Sequence, residues 1–122
     1  MATPIQPNVS SVFLPVQDIE RARSWYCRLL GLTTLPDIAA DHLCCLPTEG
    51  AGLILDSMPK WRSAEGALPT YQTPAFMFKT ADVGAAHRFM QELGAELVTE
   101  VQDGHWFSFR DPDGNLLMVC KG

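Results

Sequence analysis

Trp106-Phe107-Ser108-Phe109-Arg110-Asp111-Pro112-Asp113-Gly114-Asn115-Leu116-Leu117-Met118-Val119-Cys120 is the stretch from which the rest of the chain can be read. Apolar residues flank a compact polar centre. Within that centre, Asp111 opens a turn through its side chain, Pro112 presets φ, and Gly114 closes it. The stretch therefore predicts a strand, a tight turn and a second strand. Upstream, Glu96 to Val101 and His105 to Arg110 read as strands. Before them, Asp82 caps a helix whose apolar side carries Val83, Ala86, Phe89, Met90 and Leu93, and Gly94 ends it. Pro74 to Thr80 reads as the strand that precedes this helix.

The first half repeats this pattern. Ser11 to Val16 is a strand whose Pro15 points to a sheet edge or a bulge. Asp18 caps a helix with Ile19, Ala22, Tyr26 and Leu29 on one stripe, and Gly31 ends it. Leu32 to Ile38, His42 to Leu46 and Leu53 to Asp56 read as short strands. At an offset of 64 residues, Asp18 meets Asp82, Leu14 meets Phe78, Trp25 meets Phe89 and Leu29 meets Leu93. Each unit is strand–helix–strand–strand–strand. We divide one domain into a first module at 9–57, a long connection at 58–73 and a second module at 74–122, after a loose leader. One helix covers one face of each sheet, so the other faces need a partner. The expected architecture is α+β, with two tandem βαβββ modules whose curved mixed sheets surround a cavity, formed within the chain or across a dimer. Strand alternation assigns Val12, Leu14, Val16, Phe76 and Phe78 to the helix side, and Ser11, Phe13, Ala75 and Met77 to the cavity.

The 122 residues suffice for one domain with a real core. A net charge of −5 disfavours a phosphate-backbone binder, so no nucleic-acid partner is expected. No apolar run is long enough to span a bilayer, and residues 1–8 lack the basic and apolar regions of a secretory signal, so the cytoplasm is the expected compartment. Four cysteines without a C-x-x-C pair read as free, packed thiols.

Val16-Gln17-Asp18-Ile19-Glu20-Arg21-Ala22, then Trp25-Tyr26-Cys27-Arg28-Leu29-Leu30-Gly31-Leu32, then Phe109 to Asn115, resemble the vicinal oxygen chelate superfamily. That group contains glyoxalases, bleomycin-resistance proteins and extradiol dioxygenases, and the resemblance covers nearly the whole chain. It implies the paired-module fold and a homodimer. The superfamily's metal enzymes hold a divalent ion through a His or Gln near the start of each module's first strand and a Glu on its last. Ser11 and Ala75 fall at the first-strand positions, with Ile54 and Met118 at the carboxylate positions. Neighbouring Val12, Leu53, Leu55, Phe76, Leu117 and Val119 offer no ligand either. The metal chemistry does not carry over, and no cofactor is expected.

Phe13, Ile54, Met77, Trp106 and Met118 are the candidate walls of an apolar, partly aromatic ligand cavity, with Trp61 contributed by the connecting loop. Asp56 is a candidate anchor for a cationic group or a base, and His105 a candidate acid/base at the rim. His42 and His87 complete no metal set; His87 reads as a surface or partly buried helix residue. Lys60 and Arg62 are expected in solvent. The functional expectation is a small molecule held by burial and stacking, as in sequestration or resistance. The alternatives are a metal-free or atypical superfamily enzyme of the lyase or dioxygenase type, and an interaction module with a filled interior.

Overall fold

The computed structural model describes residues 2–122; Met1, at the head of the expected leader, lies outside the described residues. Its elements run β1 (Ser11–Pro15), α1 (Ile19–Leu30), β2 (Ile38–Ala39), β3 (Leu43–Leu46), β4 (Gly52–Asp56), β5 (Met77–Thr80), α2 (Val83–Leu93), β6 (Glu96–Leu97), β7 (Trp106–Arg110) and β8 (Leu116–Lys121). They form two four-stranded mixed sheets in the same order, β1-β4-β3-β2 and β5-β8-β7-β6, so the repeat read from the sequence is real. In each, the first strand runs parallel to the last, and the remaining pairs are antiparallel.

Local chemistry sets the helix ends. The Asp18 carboxylate accepts from the Glu20 and Arg21 N–H groups, and Asp82 accepts from Ala85, meeting donors that the first turn leaves unpaired. Gly31 and Gly94 close the helices at φ 69° and 80°. Pro15 falls where its missing N–H costs no ladder bond. The β1–β4 ladder uses the even-numbered positions, with Gly52 donating to Ser10 and Val16 donating to Asp56, so Pro15 faces the open edge.

Some boundaries are shorter than expected. Leu32 to Ile38 yields only Ile38–Ala39, since Pro36 interrupts it and gives its carbonyl to Arg23. Glu96 to Val101 keeps two strand residues, because Val98 and Thr99 both donate to the Ser108 carbonyl, the signature of a bulge. Asp103 and Gly104, at φ 51° and 66°, form the two-residue hairpin turn into β7, which begins at Trp106 rather than His105. The strand expected from Pro74 begins at Met77.

One core serves both modules. Leu14, Val16, Leu53 and Leu55 of the first sheet and Phe107, Phe109, Leu117 and Val119 of the second join a single buried cluster with Trp25, Tyr26 and Met90 of the helices. Trp25 of α1 lies 6.5 Å from Phe109 of β7, so α1 packs against both halves. The helix sides of the two sheets thus meet a common core, and the opposite faces point outward. The sheets do not close on each other.

Candidate functional site

The turn at residues 111–115 fixes how the outward faces lie. Asp111 is buried, and one carboxylate oxygen accepts from the Asp113 and Asn115 N–H groups, both at 2.9 Å. The other takes the Tyr26 hydroxyl at 2.5 Å and the Asn115 amide at 3.0 Å. The same amide donates to the Pro15 carbonyl at 2.7 Å, and its oxygen accepts from the Tyr71 N–H at 2.8 Å. Tyr71 spans the halves: its carbonyl accepts from Leu116, and its hydroxyl donates to the Phe13 carbonyl. Asp113 accepts from Gln17 N–H at 3.1 Å and pairs with Arg21 at 2.8 Å. Burial nevertheless outweighs these two attractions and raises the Asp113 carboxyl above its ordinary value. Burial, then the Asp111 charge, holds the Tyr26 phenol well above its own.

The outward faces carry two related rows. Phe13 pairs with Ile54, and Ile54 with Cys45; Met77 pairs with Met118, and Met118 with Ser108. Phe13 is 48% exposed and Met77 53%, while Ile54 and Met118 are half-buried. Trp106 pairs with Cys120, one step along the same face from Met118, and is half-buried. The expected wall residues therefore gather, but as two clusters on separate sheets.

Three further candidates differ in their surroundings. Asp56 is 6% exposed, and its carboxylate accepts from Met58 N–H at 2.8 Å, shaping a local turn in which Met58 has φ 57°. It is neither a free anchor nor a solvated strand end. Trp61 is 72% exposed. His105 is exposed beside the β7 hairpin turn, with its backbone carbonyl accepting from Lys121. Beyond these, Arg62 is not free in solvent: its guanidinium bonds the Ser57 and Gly66 carbonyls and Gln17. His87 is buried, edge-on to Phe107 at 5.0 Å, with its Nε2 3.8 Å from Glu100. It takes the inner position on α2, leaving Phe89 41% exposed.

The resemblance puts Ser11, Ile54, Ala75 and Met118 at the superfamily's metal-ligand positions, and their chemistry does not fit a metal. Neutral hydroxyl, alkyl and thioether groups cannot satisfy a hard divalent ion. Among the described residues, no group of three or more His, Cys, Asp or Glu side chains comes together to hold a metal.

The hollows lie where the sequence did not place them. A groove of about 650 Å³ runs between the 47–52 turn, the end of α1 and β5, and includes Val12, Leu30, Leu32, Phe78 and Lys79. Of the candidate wall residues, only Met77 borders it. A second groove, of about 600 Å³, lies between the end of α1 and the start of α2, beside Phe89. Alternation had put Val12 and Phe78 under helix cover; α1 stops at Gly31 and leaves this strip open.

The sequence profile of the Glyoxalase/Bleomycin resistance protein/Dioxygenase superfamily matches residues 8–119. The chain belongs to that superfamily. Solved glyoxalase-like structures share the fold. A superfamily member from Sphaerobacter thermophilus DSM 20745 is 24% identical with a TM-score of 0.74, covering 96% of this chain and 98% of that one. TnmS3, an antibiotic binding protein from Streptomyces sp. CB03234, is 24% identical with a TM-score of 0.72, covering 98% of each. A protein of unknown function from Agrobacterium tumefaciens str. C58 is 26% identical with a TM-score of 0.73, covering 97% and 96%. No curated protein matches the chain by sequence. A glyoxalase-like fold supports many chemistries, so the reaction or ligand has to be argued from the site.

Proposed function

We propose that this superfamily member binds a small, largely apolar or aromatic molecule against its outward sheet faces, as a sequestering or resistance-type protein, and that a second copy completes the cavity. The observation that carries this reading is the pair of rows centred on Phe13–Ile54 and Met77–Met118. Each is an apolar strip that the chain leaves about half exposed at its leading residue. Covering such strips with a ligand and a partner removes apolar area from water at about 25 cal/mol per Å². The antibiotic-binding description of TnmS3 supports this ligand class. Cysteines that are all free suit a reducing compartment such as the cytoplasm.

The enzyme alternative gains nothing from the geometry. Asp56 accepts from Met58 N–H, and His105 is exposed.

The test joins assembly to binding. Light scattering on the purified chain is expected to give a dimer. Titration with flat aromatic antibiotics is expected to quench tryptophan fluorescence saturably, through Trp106. Met118→Glu is expected to weaken binding at least ten-fold while the circular dichroism spectrum is retained. A monomer that binds none of these compounds would refute the reading.

A further inference from the structure

The two halves of the chain seal equivalent strand edges differently. In β1 the carbonyls of Phe13 and Pro15 point away from β4, and both are taken: Phe13 by the Tyr71 hydroxyl, Pro15 by the Asn115 amide. At the 64-residue offset their counterparts are Met77 and Lys79 of β5. The Thr80 carbonyl is used on the sheet side, accepting from Gly122, so those of Met77 and Lys79 face outward. Among the described residues, nothing donates to either.

The missing donors can be named. Gly50 and Gly114, equivalent at this offset, both take positive φ, 73° and 88°, but the hooks of the second turn have no counterparts in the first. Asn115 corresponds to Ala51, Tyr71 to Pro7, and Arg21 to Ala85. Asp113 corresponds to Glu49, which is exposed and forms no ion pair among the described residues. Glu49, Gly50, Ala51 and Lys79 border the groove of about 650 Å³, with Val12, Leu30 and Phe78 along it. The Lys79 stem turns toward the chain end, where a Cβ on Gly122 would lie 2.6 Å from it.

We propose that this groove is a binding site for a small neutral aromatic amide, separate from the ligand of the outward faces. Its amide N–H takes the Lys79 carbonyl, as the Asn115 amide takes Pro15, and its ring lies on Val12, Leu30 and Phe78. The two outward carbonyls select for a hydrogen-bond donor. The apolar strip supplies burial for the ring.

Phenylacetamide is the probe, and methyl phenylacetate, of the same shape without an N–H donor, is its control. Two-dimensional ¹H–¹⁵N spectra of the full chain are expected to show saturable shifts at Ala51, Phe78 and Lys79 with the amide. The ester should bind at least ten-fold more weakly. Ala51→Asn rebuilds the hook, and is expected to raise Tm and lower phenylacetamide affinity at least ten-fold. The ester comparison uses the unaltered chain and decides without any variant. Equal binding of amide and ester, no saturable shift, or shifts confined to Phe13, Ile54 and Met118 would each overturn the site. So would intermolecular contacts placing a second copy on the Met77 and Lys79 edge.

Discussion

Asp111 and Asn115 show how much one turn can hold. Asp111 accepts four hydrogen bonds inside the protein. Tyr26→Phe removes the strongest donor and leaves a buried carboxylate short of one partner. We expect a loss of about 1–3 kcal/mol, read from urea unfolding. The same pair sets an alkaline limit. Folding raises the Tyr26 pKa, so the folded state binds that proton more tightly. The stability this contributes is complete below pH 10, the unfolded value, and drains away as pH climbs toward the folded one. Unfolding free energy measured from pH 9 upward should fall more steeply in the native chain than in Tyr26→Phe. At this scale the sequence was readable for the turn and silent about its partners. Nothing local to Tyr26 announces an acceptor 85 residues away.

Among the elements, caps and periodicity placed both helices, because the groups that end a helix lie beside it in the chain. Asp18→Ala and Asp82→Ala should each cost about 1 kcal/mol in thermal or urea unfolding. Periodicity was less reliable in choosing which residues of α2 go inside. Trp25 and Phe89 are equivalent in sequence, yet Trp25 is 8% exposed and Phe89 41%, with His87 turned inward instead. Trp25→Ala should therefore destabilise the chain by about 3–5 kcal/mol, whereas Phe89→Ala should cost under about 1 kcal/mol. Equal costs would show that the halves bury their helices alike. Strand boundaries shortened where a proline or a bulge intervened, and a bulge depends on the facing strand rather than on its own residues.

For the whole molecule, the repeat made the paired-module architecture legible, since it rests on spacing along the full chain. Alternation also set Phe13 and Met77 on the face away from the helices, where they pair with Ile54 and Met118. It could not reveal how the modules pack, because that depends on contacts such as that of Trp25 in α1 with Phe109 across the modules. Nor could it show the groove beyond Gly31, which depends on where a helix stops relative to another module's strand.

The bonds from Asn115 to Pro15 and from Asp111 to Tyr26 join residues 100 and 85 apart, while the connection between the modules forms no strand or helix. Apart from Arg62 and Tyr71, whose side chains bond to the modules, the covalent link is therefore less a structural member than a tether that raises local concentration. Cutting the chain after Gly66 leaves Tyr71 with the second half and every bond of the 111–115 turn available. Co-expressed fragments 1–66 and 67–122 should reassemble into a complex with native circular dichroism, while either fragment alone should not fold. Asn115→Ala should abolish the reassembly before it unfolds the intact chain. Two halves that recognise each other this specifically make the protein a candidate split reporter, in which a signal appears only when the halves are brought together.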